Sequence, residues 1–570
     1  MSEGSAAGDL GTPRQSVAEA ESAAGRGDWH AAQAIYAGLV ASEDSPSGPL
    51  LLAWSDALKN TAAFGEALAA IERAYPAFLG AGDDLRAIQC TTRITGLRMM
   101  AGDRAGAQAW QRRGWWHLEQ VGPCLERGYH AVACIGCDVP DPATLLELAD
   151  LALGVAEEFG DRALRLRATG DKGLALVSSG SVDEGFMLLD EVMVGIIAGD
   201  IPDASMRGIT LCALLTACER SSDHGRAEHW GRTIEATPSL REMGMLATHC
   251  HLAFGAMETM RGRFTSAEAR LQIALEAHAT TRYHVAASRA RLAELRVHQG
   301  RYAEAAELLR GYEDEFEAGQ ALAALYVATA EYARAAAVLR SYTRGLGNDC
   351  MRLGPALALL VDLELRCDDI GAATSAARRL LALEEECSSN EIRAMARLAS
   401  ARIAIHKREY TAANDELETA LTLLLHRDRP LLNAHVRLEL ARALAGSGDH
   451  AGAFVEVEAA TATFERLGVV PDLAKCAAIL ARLRDSASEP VEGSSQPRLL
   501  TGNYEKLTRR ESEIARMVAE GLTNRDIAAR LVLSVRTVET HVDRVLGKLD
   551  FHSRTQLATW VIQEPTARVT

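Results

Sequence analysis

A large or aromatic residue followed three positions later by a small one recurs along most of this chain, and that spacing leaves few architectures open. The pairs are Trp29/Ala32, Phe64/Ala67, Arg104/Ala107, Val182/Gly185, His224/Ala227, Phe264/Ala267, Tyr302/Ala305, Tyr332/Ala335, Ile370/Ala373, Tyr410/Ala413 and His450/Ala453. From Val182 onward the steps are 42, 40, 38, 30, 38, 40 and 40 residues. Gly-Asp or Gly-Arg often precedes the pair, as at Gly27-Asp28, Gly102-Asp103, Gly262-Arg263, Gly300-Arg301 and Gly448-Asp449. The glycine permits a sharp turn between two antiparallel helices, the bulky residue starts the second helix, and the alanine lets its neighbour pack close. Such a hairpin cannot bury its own apolar face, so hairpins must stack. The missing step near residue 143 is consistent with a repeat starting at Pro142, where Leu145, Leu146, Leu148 and Ala149 continue the helical pattern. Alanine-rich helical chains imitate such periods, so a non-repetitive bundle is the competing reading.

The pattern resembles tetratricopeptide-like repeats, with a period longer than the usual length of about 34 and a degenerate Trp-x-x-Leu-Gly element. Strand signals are nearly absent. Asp485 to Asn503 breaks the periodicity with Pro490, Gly493-Ser494-Ser495 and Pro497, and reads as a flexible linker. The expected organisation is a disordered start over 1–15, a repeat array over 16–484, a linker over 485–503 and a separate domain over 504–565. The fold class is all-α.

In the last domain Thr508 and Glu511, and again Thr523 and Asp526, place a hydroxyl three residues before a carboxylate, so each pair can cap a helix start. Ser534 is a third N-cap candidate. After it Val535, Val538, Val542, Val545 and Leu549 recur at helical spacing and assign one face to a small core with Ile514, Val518, Ile527 and Leu531. Ser553 starts a short fourth helix. The opposite face of the third helix carries Arg536, Glu539, Thr540, Asp543 and Arg544, which in a helix-turn-helix is the face laid into the major groove.

Leu507-Thr508-Arg509-Arg510-Glu511, Gly521-Leu522-Thr523-Asn524, Ile527-Ala528, Leu531, Ser534, Thr537-Val538, His541, Lys548-Leu549 and Ser553-Arg554-Thr555-Gln556 together resemble the LuxR-type helix-turn-helix. The resemblance implies a four-helix DNA-binding headpiece. Glu539, Thr540 and Asp543 fall where family members touch base edges, and Arg536, Thr537 and His541 lie nearer the backbone. Thr523, Asn524, Ser534, Arg544, Lys548 and Arg554 complete the implied DNA-contacting set. Glu539 and Asp543 depart from the lysines common there, and a carboxylate must accept from a cytosine amino group or stay clear of the phosphates. Asp550 replaces the usual glycine after the third helix. The fourth helix carries Leu557, Trp560 and Val561 at i, i+3 and i+4; LuxR-type headpieces commonly pair through this helix, so these three residues are expected to dimerise it.

The 570 residues carry a net charge of −16, which divides unevenly. Residues 505–565 hold ten Lys/Arg against nine Asp/Glu, or +1, leaving 51 against 68, or −17, for the rest. A nearly neutral headpiece beside an acidic body binds random DNA weakly as one copy, because phosphate neutralisation supplies most non-specific affinity. No apolar run approaches a membrane span, and Met1 to Gln15 is small and polar, so a cytoplasmic protein without a membrane partner is expected. Eleven cysteines scattered through apolar helical patterns fit reduced, buried thiols. Cys134 and Cys137, with Cys124 and His130 nearby, can be read as half a zinc site or as a packed helix face, and a second ligand pair at finger-like spacing is missing. His249-Cys250-His251 cannot converge on one metal from a helix. No Gly-x-x-x-x-Gly-Lys-Ser/Thr loop occurs, so the ATPase module of large LuxR-type regulators with tetratricopeptide-like repeats is missing. No nucleophile, base and oxyanion grouping can be nominated, and neither an enzyme nor a cofactor is expected. Arginine far outnumbers lysine and alanine is abundant, which suggests a high-GC bacterial coding sequence.

The expected function is a transcription regulator in which the array senses an unidentified protein or small molecule and controls a headpiece that binds double-stranded promoter DNA as a homodimer. The alternative is an interaction scaffold whose headpiece docks RNA polymerase or another protein.

Overall fold

The computed structural model describes residues 13–135, 141–237, 244–277, 282–425, 428–488, 507–519, 522–531, 535–549, 551 and 554–563, all of them in helices or the turns between them. Consecutive helices form antiparallel hairpins. They pair as α1 (Pro13–Gly25) with α2 (Trp29–Ser42), α3 (Gly48–Asn60) with α4 (Phe64–Gly80), α5 (Asp84–Met100) with α6 (Arg104–Leu118), and α7 (Leu125–Ile135) with α8 (Pro142–Phe159). The series continues with α9 (Arg162–Ser179) and α10 (Val182–Ile197), α11 (Ala204–Ser221) and α12 (His224–Ala236), α13 (Gly244–Met260) and α14 (Phe264–Ala277), and α15 (Arg282–His298) and α16 (Tyr302–Leu309). It ends with α17 (Gly319–Ala328) and α18 (Tyr332–Gly345), α19 (Cys350–Arg366) and α20 (Ile370–Glu386), α21 (Asn390–His406) and α22 (Tyr410–Leu423), α23 (Pro430–Ser447) and α24 (His450–Leu467), and a closing α25 (Val470–Ser488). Helix α25 runs four residues past the expected end at 484, because nothing breaks it before Pro490; residues 489–506, most of the expected linker, lie outside the described residues. So does the expected disordered start up to residue 12. No described helix is long and apolar enough to cross a membrane.

The bulky member of every cassette is the first residue of the second helix of a hairpin, and Pro142 opens α8 in the same way. The small member is wholly buried: Ala32, Ala67, Ala107, Ala227, Ala267, Ala305, Ala335, Ala373, Ala413 and Ala453 are all 0 % exposed, and Gly185 is buried too. Larger side chains there would hold the two helices apart.

One turn geometry serves all eleven cassettes. Two residues before the second helix the backbone adopts positive φ, and the next N–H bonds to the carbonyl five residues back, as from Asp28 to Ala23, Ser181 to Leu176 and Asp449 to Leu444. This is the left-handed helix cap closed by a six-to-one bond, which satisfies a carbonyl the first helix would otherwise leave open. Asp28, Asp103, Asp223, Asp369 and Asp449 then cap the second helix by accepting from the N–H three residues on. Glycine holds the left-handed position in six turns, but Ala62, Ser222, Ala330, Asp368 and Arg408 hold it in the other five at φ of 61 to 64°.

Two compact units result, Met1–Val297 with Arg301–Arg393, and His298–Gly300 with Ala394–Thr570. Within the first, the stacked hairpins return on themselves, and residues roughly 170 to 210 positions apart meet. The Asn348 N–H donates to Asp141 at 3.4 Å. The Gly180 carbonyl accepts from the Ser388 N–H at 3.3 Å and from its hydroxyl at 3.1 Å. Arg220 pairs with the buried Asp349 at 3.2 Å, and Ser222 Oγ donates to Glu391 at 3.3 Å. This seam is polar, unlike the apolar hairpin interiors. The second unit holds the last hairpins and four shorter helices, α26 (Arg509–Ala519), α27 (Asn524–Leu531), α28 (Val535–Leu549) and α29 (Arg554–Gln563), of which α29 also lies against α24.

Because non-glycine residues are strained in the left-handed region, Ala62→Gly, Ala330→Gly and Arg408→Gly should each stabilise the array by about 0.5–1 kcal/mol. Gly448→Ala, where a Cβ would touch nothing and only the φ of 91° matters, should destabilise it by about 1 kcal/mol. Urea denaturation midpoints followed by circular dichroism check both signs.

Candidate nucleic-acid interface

The four C-terminal helices enclose a core of their own. Ile514, Ala515, Met517 and Val518 from α26, Ile527 and Ala528 from α27, and Val538, Val542, Val545 and Leu549 from α28 close over one another, with Leu557 and Val561 from α29. Val538, Val542, Val545 and Leu549 thus face inward as their spacing predicts, while Arg544 and Lys548 on the same helix are exposed.

Two capping boxes fix the helix starts. Glu511 N–H donates to Thr508 Oγ1 at 3.3 Å, and the Thr508 N–H returns to the Glu511 carboxylate at 2.7 Å. Asp526 N–H donates to Thr523 Oγ1 at 3.2 Å, the Thr523 N–H donates back at 3.2 Å, and the Thr523 hydroxyl adds a bond of 2.6 Å. These are the reciprocal bonds that a hydroxyl and a carboxylate three apart can make. At the far end of α28 the Phe551 N–H donates to the Leu546 carbonyl at 2.9 Å, satisfying a carbonyl the helix would otherwise leave open. Asp550, the residue between, lies outside the described residues.

Longer polar ties bind the helices together. Lys548 Nζ, at the end of α28, donates to the Glu511 carboxylate at 2.6 Å. Burial opposes the charge on Glu511, but Lys548 and the two Thr508 bonds overcome it and hold the carboxyl down at about 2. Arg554 at the start of α29 donates to Asn524 Oδ1 and to the Leu522 carbonyl, clamping α29 on the turn before α27. Arg510 bridges to Glu513 at 2.7 Å and donates to the Leu531 carbonyl at 3.2 Å, tying α26 to the end of α27.

Residues 505–561 match the profile of bacterial regulatory proteins of the luxR family, GerE. The C-terminal domain is a LuxR-family helix-turn-helix. The chain is 38 % identical over 82 residues to the transcriptional regulatory protein LiaR of Bacillus subtilis (strain 168), which is 14 % of this chain and 34 % of that one. It is 42 % identical over 60 residues to the response regulator protein VraR of Staphylococcus aureus (strain NCTC 8325 / PS 47), covering 10 % and 29 %. The chain thus spans about a third of the length of these relatives. Among solved structures, a chain of the APC/C hetero-tetramer Cut9–Hcn1 superposes with a TM-score of 0.50 at 13 % identity, over 83 % of this chain and 90 % of that one. That likeness is one of fold: the array is a tetratricopeptide-like α-solenoid.

In the LuxR-type headpiece the expected contact residues divide into three groups. Arg544 is exposed on α28, and Thr537 and His541 are half-buried on it. Thr523, Asn524, Lys548 and Arg554 have partners inside the domain, so part of their hydrogen-bonding capacity serves the fold. Ser534 lies outside the described residues, as do the side chains of Arg536, Glu539, Thr540 and Asp543, four positions along α28. Two of the three residues expected to pair headpieces are buried within the domain itself. Leu557 is 0 % and Val561 8 % exposed, both enclosed by the domain's own core, because four short helices have too little apolar surface to spare either. Trp560 is half-buried, its ring 5.9 Å from that of Phe551. The sequence reading passed over Arg510 and the Glu511–Lys548 pair, which no local pattern marks because the latter partners stand 37 residues apart.

Since the folded Glu511 carboxyl ionises at about 2 rather than in the ordinary glutamate range, its contribution is complete above about pH 5 and is lost as the pH falls toward 2, up to about 3 kcal/mol. Denaturation of residues 498–570 across that range should show the loss, and Glu511→Gln should flatten the pH dependence while lowering stability at pH 7.

Proposed function

We propose that this protein is a DNA-binding transcription regulator in which the solenoid responds to a protein or small-molecule effector and governs a LuxR-type headpiece that acts in pairs on promoter DNA. The observation that carries this reading is the orientation of α28. Its valine face is committed to the core, so the face bearing Arg536, Glu539, Thr540, Asp543 and Arg544 is the one left to enter a major groove. Its neighbours support the same use: α26 and α27 pack against it in one core, and the two capping boxes fix the starts of α26 and α27.

A single headpiece has little charge for phosphates. Of its ten Lys/Arg, Arg510 and Lys548 are spent on internal ion pairs and Arg554 on an internal clamp, against nine acidic residues. Two copies offset that weakness by multivalency. With Leu557 and Val561 in the core, pairing would centre on Trp560, which is half-buried. Helix α29 also lies against α24 of the array, so the array covers part of the helix that pairing would use. In this reading the effector acts by releasing it.

Arg536→Ala should weaken binding to all DNA sequences, whereas Thr540→Ala and Asp543→Ala should alter preference at one base position by about 1–3 kcal/mol. Affinities across an operator library test this, and no change in any of the three would remove α28 from the groove. Residues 498–570 alone should pair more readily on a two-half-site operator than the intact chain at equal concentration, and Trp560→Glu should cancel that gain; sedimentation on DNA gives both readings. Equal or better binding by the intact chain without effector would make the array a source of affinity rather than a restraint.

A further inference from the structure

Cys350 and Cys387 meet beneath the seam of the first unit. Cys350 is the first residue of α19 and Cys387 caps the end of α20, so the antiparallel hairpin brings them to its open end. Both are buried, at 1 % and 2 % exposure. Across the seam the Cys350 thiol donates to the Ser178 carbonyl at 3.2 Å. Cys387 packs against Gly180, where any Cβ would come within 2.8 Å of the Cys387 Cα, so only glycine, at φ 104°, permits the approach. The burial is shallow, because Glu386 and Ser388 on either side of Cys387 are exposed.

We propose that Cys387 and Cys350 form a hydroperoxide-reactive dithiol, Cys387 attacking and Cys350 resolving, whose oxidation bridges the open end of the α19–α20 hairpin and withdraws one donor from the seam. The single Cys350 S–H is shared between the Ser178 carbonyl and the Cys387 sulphur; burial opposes ionisation of Cys387, but the shared hydrogen, the Ser389 N–H and Arg393 favour it, so the Cys387 thiol is held below its ordinary range. That bond and burial push the Cys350 thiol up. In the first step the Cys387 thiolate takes the distal oxygen of the peroxide. An S–O bond forms, the O–O bond breaks, and the departing hydroxide or alkoxide takes up a proton, leaving a sulfenic acid. In the second step the Cys350 sulphur attacks Cys387. The S–S bond forms, the S–O bond breaks, and the leaving hydroxide takes the Cys350 proton as water. Two thiols lose two electrons, one peroxide gains them, and Ser178 loses the Cys350 S–H. The polar seam, held by scattered hydrogen bonds and the Arg220–Asp349 ion pair and not by an apolar core, is the place where local opening admits so small an oxidant.

Cys367, exposed on the same hairpin, is the internal control. The reduced full chain is exposed to equimolar hydrogen peroxide, quenched with an alkylating reagent, and mapped without reduction by mass spectrometry. The expected result is a Cys350–Cys387 linked peptide that forms about tenfold faster than Cys367 oxidises and disappears with dithiothreitol. Cys350→Ser should leave Cys387 as a sulfenic acid captured by dimedone, and Cys387→Ser should leave no bridge. Cys367 oxidised while the pair stays reduced would overturn the proposal. The mapping of the unmodified chain decides the matter even where a variant fails to fold.

Discussion

Everything in the array hangs on a two-residue reversal of the chain. A left-handed residue and the six-to-one hydrogen bond after it end one helix and aim the next, so the position three residues into the second helix is always driven against the first. Only a small side chain fits there, and the structure has alanine or glycine each time. The hairpin has no freedom to splay, its outer face must find another hairpin, and small rotations between neighbours accumulate. The seam between residues 178–222 and 349–391 is where that accumulation brings the stack back on itself. A local backbone requirement thereby sets contacts some 170 to 210 residues long.

The second helices were legible for that reason: a bulky first residue and a small fourth one repeat because each turn repeats the same collision. The aspartates between glycine and cassette were equally visible at Gly27-Asp28, Gly102-Asp103 and Gly448-Asp449, yet their capping role passed unread because the dipeptide was taken as a turn signal alone. The left-handed Ala62 and Arg408 could not be read, since neither favours that conformation and only the neighbouring helices impose it. Nor could the seam, which depends on summed twist. In the headpiece the valine stripe announced its inward face, and both capping boxes are where a hydroxyl and a carboxylate three apart put them. That the domain's own core covers Leu557 and Val561 is not legible from their spacing, which shows that a face is apolar without showing what covers it. Asn524 with Arg554, and Glu511 with Lys548, are pairs across 30 and 37 residues that only packing reveals.

The headpiece shows how a domain of about sixty residues is held when its core is small. Twelve buried apolar side chains cannot by themselves order four helices with much to spare, and the balance falls to charged groups near the surface. Glu511 is the clearest case. One carboxylate caps α26 and anchors the end of α28, so removing it would release two helices together. Cations used this way are withdrawn from phosphate binding, so under the proposed function the grip on DNA would fall to α28 and a second copy.

Helix α29 stands where these demands meet. Its inner positions are filled by the core, and Arg554 clamps its start, so its orientation is fixed by the domain and not by any partner. Trp560 on the same helix is only half-buried. Under the proposed function, α24 of the array and a second headpiece would compete for this helix. In that proposal, control of pairing would require no change of shape within the headpiece, only a shift in which neighbour α29 keeps, and the differential free energy for such a shift would have to come from an effector on the solenoid.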